Sequence, residues 1–369
     1  MKKVCNIVLM LTLMFESLVC SSREMARFIV KQKKMSEGVA RFCRPIYVDD
    51  QYFNIADDDS YDSWEPTKLM RDSARLFAYP KAWGTSFNSE STKSWYCPSR
   101  SLCQSVEPAV TWIGHSTCFI QFKKLNIITD PIFGSPSWFY KRANNPGISS
   151  NRLPHIDIIL LSHNHSDHMD EDSLMALRKH QPFVMVPQGN ARWFKENGFN
   201  YVQEYTWWER QDIQLKEDSA SVTITCVPSV HWSGRSFLDT NATLWSGWVI
   251  SSDNESIYFA GDTGYSKRQF DEIRTLFPSI KLALLPIGPN EPNHLMGGMH
   301  LSAGQAVEAF QDLDAQWLIP IHWGTFKLGA DTFMMPVDRL KKAWQDNKLP
   351  DDRLHILKCG QRAVYNESV

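Results

Sequence analysis

The stretch from residue 156 to residue 170, IDIILLSHNHSDHMD, constrains the fold of this chain more than any other. It opens with a run of β-branched and aliphatic residues, which is typical of a strand buried on both faces. In an extended loop, two histidines that are two residues apart point the same way. A buried strand that runs directly into an HxHxDH motif therefore predicts a metal site at the end of a sheet. The candidate ligands in this motif are His163, His165, Asp167 and His168.

Three later segments repeat this arrangement of an apolar strand followed by one candidate ligand. TITCVPSVHWS contains His231, SIYFAGDTG contains Asp262 and WLIPIHWGTF contains His322. Asp262 can bridge two ions because a carboxylate has two oxygens and offsets positive charge. Nitrogen and oxygen ligands without sulfur favour zinc, with iron or manganese as alternatives. The ligands then form two sets: His163, His165 and His231 in one, and Asp167, His168 and His322 in the other.

Composition limits the class of protein. The chain has 369 residues, of which 43% are hydrophobic and 22% are charged, as in a soluble globular protein. A net charge of −2 does not indicate a nucleic-acid binder, so no nucleic-acid partner is expected.

The first 22 residues differ in composition from the rest. Lys2 and Lys3 precede a short apolar run, and small serines follow it. This pattern predicts a secretory signal peptide over residues 1–22 and a periplasmic or secreted protein. In an exported protein, Cys97 and Cys103 could close a small disulfide loop.

The remainder divides into two parts. Residues 23–107 are irregular and are expected to pack on the main domain as an extension. In residues 108–369, strands first follow one another and later alternate with helices, which predicts an α/β sandwich with helices outside two sheets. After the metal strand we predict strands at 183–187, 222–227, 247–251, 256–260, 281–287 and 317–321, and helices at 173–180, 266–276, 302–311 and 336–346.

A set of short motifs carries a resemblance to known proteins. They are TWIGHSTCFIQF, ITDPIFG, LLSHNHSDHMD, LWSGW, YFAGDTGY, LLPIGPNEP and PIHWGTF. Over residues 108–360 the chain resembles the metallo-β-lactamase superfamily, and more narrowly the phospholipases D that hydrolyse N-acylphosphatidylethanolamine. The resemblance implies a four-layer αββα sandwich, two zinc ions with a bridging hydroxide, and the ligand sets given above. It also implies that the products are an N-acylethanolamine and phosphatidic acid.

The same resemblance implies roles for residues outside the ligand sets. His300 matches a histidine that approaches the substrate phosphate, and Asp130 matches an aspartate that supports the metal loops, as His115 also does. Ser166 stands near the headgroup where the family often has Tyr, which bears on substrate preference. The proton for the leaving alkoxide is expected from Asp167 or from a metal-bound water.

A two-tailed lipid needs an apolar surface beside the metals. We expect this surface to be formed by five aromatic residues: Trp138, Phe139, Tyr140, Trp207 and Trp208. The alternative is that they only pack the extension onto the core. The expected partner is a phospholipid at a membrane surface. Whether the chain also forms a homodimer is left open. Two alternative functions also stay open: another hydrolase of this fold, such as a generic phosphodiesterase or lactonase, and a non-catalytic lipid-binding protein.

Overall fold

The structure of the protein is a computed structural model. It describes residues 22–24, 27–54, 87, 92–99, 102–105, 107–137, 140–216, 221–236, 238–253 and 255–365. The predicted signal peptide, apart from Ser22, and the aromatic residues Trp138 and Phe139 lie outside this set.

The strands found in the described residues are as follows. They are β1 (Ser22–Glu24), β2 (Phe28–Lys31), β3 (Lys34–Met35), β4 (Ile46–Val48), β5 (Gln51–Phe53), β6 (Ala109–Gly114), β7 (Thr117–Phe122), β8 (Leu125–Thr129), β9 (Ile158–Leu160), β10 (Phe183–Pro187), β11 (Tyr201–Tyr205), β12 (Glu209–Leu215), β13 (Ser221–Val227), β14 (Gly247–Ser252), β15 (Glu255–Phe259), β16 (Ile280–Pro286), β17 (Trp317–Ile321) and β18 (Arg362–Val364).

The α-helices of the same residues are mostly short. They are α1 (Glu171–Leu177), α2 (Ala191–Glu196), α3 (Lys267–Leu276), α4 (Asn293–Met296), α5 (Ala303–Asp312) and α6 (Met335–Asp346). Two of the long helices begin at a serine whose hydroxyl accepts a hydrogen bond from the first turn, Ser266 for α3 and Ser302 for α5. Such caps satisfy backbone donors that have no partner within the helix. Within the described residues, no helix has the length and apolar character needed to cross a membrane.

Two sheets form the centre of the fold. The larger one has the described strand order β1-β2-β12-β13-β14-β15-β16-β17, with β3 also paired to β12. The smaller one has the order β11-β10-β9-β8-β7-β6-β18. Strands β8 to β11 run parallel, as do β15 to β17, whereas β12 to β15 are antiparallel. The parallel strands bring their carboxyl ends to the same edge of each sheet.

Alternating side chains of the smaller sheet enter two different cores. In β9, Ile158 and Leu160 belong to a core that contains residues of both sheets, while Ile159 faces a second core that includes Leu174 of α1 and Phe194 of α2. Period-two alternation in a strand separates its two faces in this way. The larger sheet is covered by α3, α5 and α6, whose apolar residues join the first core. The order helix, sheet, sheet, helix is the predicted αββα sandwich.

The predicted elements after residue 156 are all present, and their ends lie within two residues of the prediction once the 3-10 turn Arg178–His180 is counted with α1. Strands β11, β12 and β18 and helices α2 and α4 were not predicted. Before residue 108, β2 and β3 extend the larger sheet through β12, and β4 and β5 form a separate hairpin.

Two expectations about individual side chains differ from the structure. Trp207 and Trp208 were expected on an apolar surface, but both are fully buried, and their indole N–H groups donate to the carbonyls of Trp245 and Cys43. A tryptophan whose N–H finds a carbonyl partner can be buried at little cost. Cys97 and Cys103 are free thiols, so this structure does not contain the disulfide considered for them.

Candidate metal centre

Loops from both sheets converge at one edge of the sandwich. The motif that contains His163 follows β9, and Asp130 follows β8. From the larger sheet, His231 follows β13, Asp262 follows β15 and His322 follows β17. The carboxyl ends of strands are where open α/β sheets form their sites, because the loops there are free of sheet hydrogen bonds. All seven predicted ligands meet at this edge, where their side-chain nitrogen and oxygen atoms form overlapping groups.

The histidine cluster consists of His163, His165 and His231. Nε2 of His163 lies 2.7 Å from Nδ1 of His165, and Nε2 of His231 lies 3.3 Å from the same Nδ1. Three imidazole nitrogens thus face a common point. His163 and His165 come from the loop after β9, and His231 comes from the loop after β13. His163 and His231 are buried.

Hydrogen bonds on the far side of the rings assign their tautomers. Nδ1 of His231 lies 2.9 Å from the carbonyl of Met299 and must carry the proton. The hydroxyl of Ser162 donates to Asp130 at 2.6 Å, so it accepts from Nδ1 of His163 at 2.8 Å. Both Nε2 atoms therefore direct lone pairs at the common point. Ligand histidines in metal sites are oriented by partners of this kind.

The carboxylate cluster consists of Asp167, His168, Asp262 and His322. Oδ2 of Asp262 lies 3.2 Å from Nε2 of His168 and 3.0 Å from Nε2 of His322. Oδ2 of Asp167 lies 3.5 Å and 3.8 Å from the same two nitrogens. Oδ2 of Asp262 is also 3.8 Å from Nε2 of His231. Asp262 therefore stands between the two clusters, the position expected of a bridging ligand.

Supporting residues hold this cluster from behind. Nδ1 of His168 donates to Asp130 at 2.7 Å, and Nδ1 of His322 donates to the carbonyl of Gly288 at 2.7 Å. His115 lies 2.9 Å from Oδ2 of Asp167. Asp130 and His115 thus each contact a predicted ligand, and their supporting role stays a prediction.

Three of these residues have backbone in the left-handed region. The φ angles are +56° at His115, +34° at Asp130 and +57° at His322. Non-glycine residues rarely adopt positive φ, and they do so most often where the surrounding structure enforces a functional geometry. The chain therefore bends sharply at the ends of β8 and β17, which turns these side chains toward the edge of the sheets.

Electrostatics differ between the clusters. Burial lowers the pKa of His165 to about 4 and of His231 to about 3. Burial also acts to lower the pKa of His322, but the charges of Asp262 and Asp167 outweigh it and raise that pKa to about 9. For Asp262, burial acts to raise the pKa, yet His168 and His322 hold it well below its usual range. The histidine cluster is neutral, whereas the carboxylate cluster is a set of paired charges.

The arrangement fits divalent metal ions. Among the described residues, several buried atoms at this edge make no hydrogen bond: Nε2 of His168, Nε2 of His322 and Oδ1 of Asp262. Buried polar groups without partners are costly and rare in folded proteins. A metal ion satisfies such atoms, and a donor set of imidazole and carboxylate without sulfur suits zinc. The residues present therefore fit two metal ions, one in each cluster, with Asp262 shared.

The remaining predicted residues surround the clusters. His300 is mostly buried, with Nδ1 at 3.7 Å from Asp262 and its ring 5.2 Å from that of His231 and 5.4 Å from that of His322. Ser166 is exposed beside the motif histidines. Tyr140 is half-buried, and burial together with the charge of Asp167 raises its pKa to about 12. Sequence reasoning missed Ser162 and Asn54, which contact His163 and His231, because a single Ser or Asn carries no spacing signal.

Comparisons with known proteins agree with this geometry. A family model described as a beta-lactamase superfamily domain matches residues 125–323. A protein of Saccharomyces cerevisiae named mitochondrial N-acyl-phosphatidylethanolamine-hydrolyzing phospholipase D is 37% identical over 238 residues, 63% of this chain and 50% of that protein. A Caenorhabditis elegans protein named N-acyl-phosphatidylethanolamine-hydrolyzing phospholipase D 1 is 33% identical over 245 residues, 63% of this chain and 68% of that protein. The matched region thus spans half the length of the yeast relative.

Solved structures share the fold. A metallo hydrolase from the archaeon Ignicoccus hospitalis superposes with a TM-score of 0.52 at 19% sequence identity, covering 71% of this chain and 99% of that one. Similarity at this level of identity shows the architecture alone.

Proposed function

The chain belongs to the metallo-β-lactamase superfamily, and on that premise we propose that it is a zinc-dependent phosphodiesterase of the phospholipase D type. The substrate we propose is N-acylphosphatidylethanolamine, and the products are an N-acylethanolamine and phosphatidic acid. The observation that carries the proposal is the position of Asp262 between a histidine cluster and a carboxylate cluster. The names of the yeast and nematode relatives support the choice of substrate.

His163, His165 and His231 would hold one zinc ion, and Asp167, His168 and His322 would hold the other. The chemistry that two bound divalent ions supply is Lewis acidity, which lowers the pKa of a water toward neutrality and offsets the charge of a phosphodiester. Asp262, which lies within reach of ligands of both clusters, would be shared between the two ions. Asp130 holds His168 directly and His163 through Ser162, so one buried carboxylate orients a ligand of each ion.

Proton transfer falls to groups beside the reacting phosphorus. Burial acts to raise the pKa of Asp167, but the charge of His168, the hydrogen bond from His115 and the nearby His322 hold it well below its usual range. Asp167 is therefore ionised and can give a proton to the leaving alkoxide only after taking one from the attacking water. His300, at the rim between the clusters, is placed to donate a hydrogen bond to a phosphoryl oxygen as its negative charge grows.

The headgroup of this substrate calls for an apolar contact. N-acylation removes the ammonium charge of ethanolamine, so no acidic residue is needed to recognise it. Trp232 is half-buried with its ring edge-on to His165 at 4.1 Å between centroids. We assign the contact with the acyl amide to Trp232, because Trp207 and Trp208, which were expected to give an apolar surface for the lipid, are buried. We further propose that the enzyme works at a membrane surface, where its substrate resides.

Isotope labelling tests the reaction. The purified protein is incubated in H₂¹⁸O with vesicles of a mixed phospholipid extract that contains N-acylphosphatidylethanolamine, and the products are identified by mass spectrometry. Attack at phosphorus places the label in phosphatidic acid and none in the N-acylethanolamine.

The Asp262→Asn variant, incubated in parallel, controls for contaminating hydrolases. Label in a released fatty acid, or no product from a protein that holds two zinc ions, would contradict the proposal. Turnover of a soluble phosphodiester with no turnover of the lipid would favour the generic phosphodiesterase instead.

A further inference from the structure

The hairpin of β4 and β5 reaches the metal centre from outside the matched family segment. Asn54 directly follows β5, about 70 positions before residue 125, where the family match begins. Its side-chain amide donates to the carbonyl of His231 at 2.8 Å, and its carbonyl accepts from the backbone N–H of His231 at 3.1 Å. Asn54 thus pairs with both backbone groups of a proposed zinc ligand, as a neighbouring strand would.

The same oxygen makes a further contact. The indole N–H of Trp245 lies 3.0 Å from Oδ1 of Asn54 and 2.9 Å from the carbonyl of Ser229. Trp245 is the first tryptophan of the LWSGW motif, which a generic member of the superfamily does not require. The contact gives this motif a structural role. Trp245 and Asn54 together fix the short segment between the end of β13 and His231.

The hairpin itself is fastened to the loop that follows His231. The backbone N–H of Tyr52 donates to the carbonyl of Asn241 at 2.8 Å, and the side chain of Gln51 donates to the carbonyl of Thr240 at 3.1 Å. Asn241 in turn donates from its backbone to the carbonyl of Ser233 at 2.8 Å. The hairpin therefore contacts both ends of the loop.

Among the histidines of the cluster, His231 is the one whose backbone is held by Asn54. The ring of His231 is oriented by the carbonyl of Met299, but its backbone N–H and C=O are satisfied by Asn54. The residue is buried, so these groups would have no water to replace the side chain of Asn54. A shift of the backbone by even half an ångström would move Nε2 away from the common point, and metal sites tolerate roughly that displacement at most.

We infer that Asn54 is a positioning residue for the zinc ion of the histidine cluster, and that the N-terminal extension completes the metal centre. The inference rests on the centre described under the proposed function. It differs from the expectation that residues 23–107 serve only to pack against the main domain. It requires that loss of Asn54 weakens one of the two metal sites while the other is retained.

Metal titration of the full chain tests this. Metal-free protein is titrated with Zn²⁺ against a competing chelator, and with Co²⁺ while the visible spectrum reports the coordination geometry. In the Asn54→Ala variant, one of the two equivalents should bind ~10–100-fold more weakly, as is common when a group that orients a ligand is removed. The Asn54→Asp variant keeps the side-chain volume and the acceptor for His231 and Trp245, but its second oxygen faces and repels the carbonyl oxygen of His231, so the same equivalent should again bind more weakly.

The Gln51→Ala variant is the matched control, because it removes a hydrogen bond of the same hairpin that does not touch a ligand. It should bind both equivalents as the wild type does. Wild-type affinity for both metals in Asn54→Ala, or an equal loss in Gln51→Ala, would overturn the inference. A wild-type protein that binds no Zn²⁺ or Co²⁺ would instead remove the proposed centre itself. If Asn54→Ala fails to fold, the loss of affinity for one equivalent in Asn54→Asp, which keeps the side-chain volume, decides.

Discussion

The histidine cluster and the carboxylate cluster both lie beside Asp262, yet the pKa values of their buried histidines shift in opposite directions. In the histidine cluster, burial lowers the pKa of His165 and His231, and neutral nitrogens face one another at 2.7 and 3.3 Å. In the carboxylate cluster, the charges of Asp167 and Asp262 overcome burial, and the pKa of His322 rises to about 9. One cluster lacks charge, and the other carries charges that offset each other.

The difference shows how the charge of each cluster is balanced in the metal-free protein. The carboxylate cluster can hold protons on His168 and His322, which then balance the two ionised aspartates. The histidine cluster contains no carboxylate of its own, and Oδ2 of Asp262 is 3.8 Å from Nε2 of His231. In the histidine cluster, zinc should therefore bind free nitrogen lone pairs without displacing protons. In the carboxylate cluster, the zinc cation should replace the protons on the histidines.

Removing the shared carboxylate should have the largest effect. We expect Asp262→Asn to lose metal from both clusters and to lower phosphodiesterase activity by ~10⁴-fold or more, as when residues that act as a unit lose a central member. The variant also removes one of the buried carboxylates that offset the charges of His168 and His322, and leaves Asp167 alone facing both Nε2 atoms. Metal content by mass spectrometry and turnover of the lipid measure both effects. Full metal occupancy in this variant would contradict the bridging role.

His300 tests whether a residue between the clusters belongs to either. Its Nδ1 is 3.7 Å from Asp262, close enough that it could instead be counted as a ligand with His231. If it faces the substrate, His300→Ala should keep two zinc ions and slow turnover by ~10²-fold, the scale of one charge-stabilising contact. Zinc content and kcat are measured together. Loss of a zinc ion would assign His300 to the histidine cluster, and an unchanged rate would make it a loop residue.

The two clusters also differ in how they depend on Asp130. This carboxylate accepts directly from His168 and reaches His163 only through the hydroxyl of Ser162. We expect Asp130→Asn to weaken both zinc equivalents by ~10–100-fold, and Ser162→Ala to weaken only one, at the lower end of that range. Competition with a chelator measures each equivalent. Equal losses in the two variants would mean that Asp130 acts through the loop as a whole.

The sequence was informative where chemistry and strand pattern coincide. Each predicted ligand follows an apolar strand, and strand ends of parallel sheets meet at one edge, so the positions of His231 and His322 beside the motif could be inferred without coordinates. Short apolar runs also placed β13 to β17 to within a residue or two of their observed ends. Local signals of this kind survive folding because they are set by the backbone and by burial on both faces.

Other features depend on partners that are distant in sequence. Strand β12, ERQDIQL, was not predicted because its charges resemble those of a loop. In the structure, Glu209 pairs with Lys33 at 2.8 Å and Asp212 pairs with Lys34 at 2.9 Å, so the extension supplies the missing counter-charges. Similarly, the burial of Trp208 depends on the carbonyl of Cys43. Neither the ion pairs of β12 nor the hydrogen bond of Trp208 can be inferred from local sequence periodicity.

The two metal sites should also differ in how their affinity for metal depends on pH. In the carboxylate cluster of the metal-free protein, His322 has a pKa of about 9 and is protonated at neutral pH, so a metal ion must displace its proton. The pKa of His168 is also held well above its usual range, so a second proton is displaced. The apparent affinity of this site should therefore rise about tenfold for each pH unit per displaced proton, or about a hundredfold when both leave, between about pH 6 and pH 8.

In the histidine cluster, the pKa values of His165 and His231 are about 4 and about 3, below this window. No proton competes with the metal there, and the affinity should stay constant over the same range. Zinc titrations against a chelator at several pH values, corrected for the protonation of the chelator itself, separate the two equivalents. Parallel slopes would show that the clusters share one set of protons through Asp262, and the distinction between a neutral site and a charged site would then be lost.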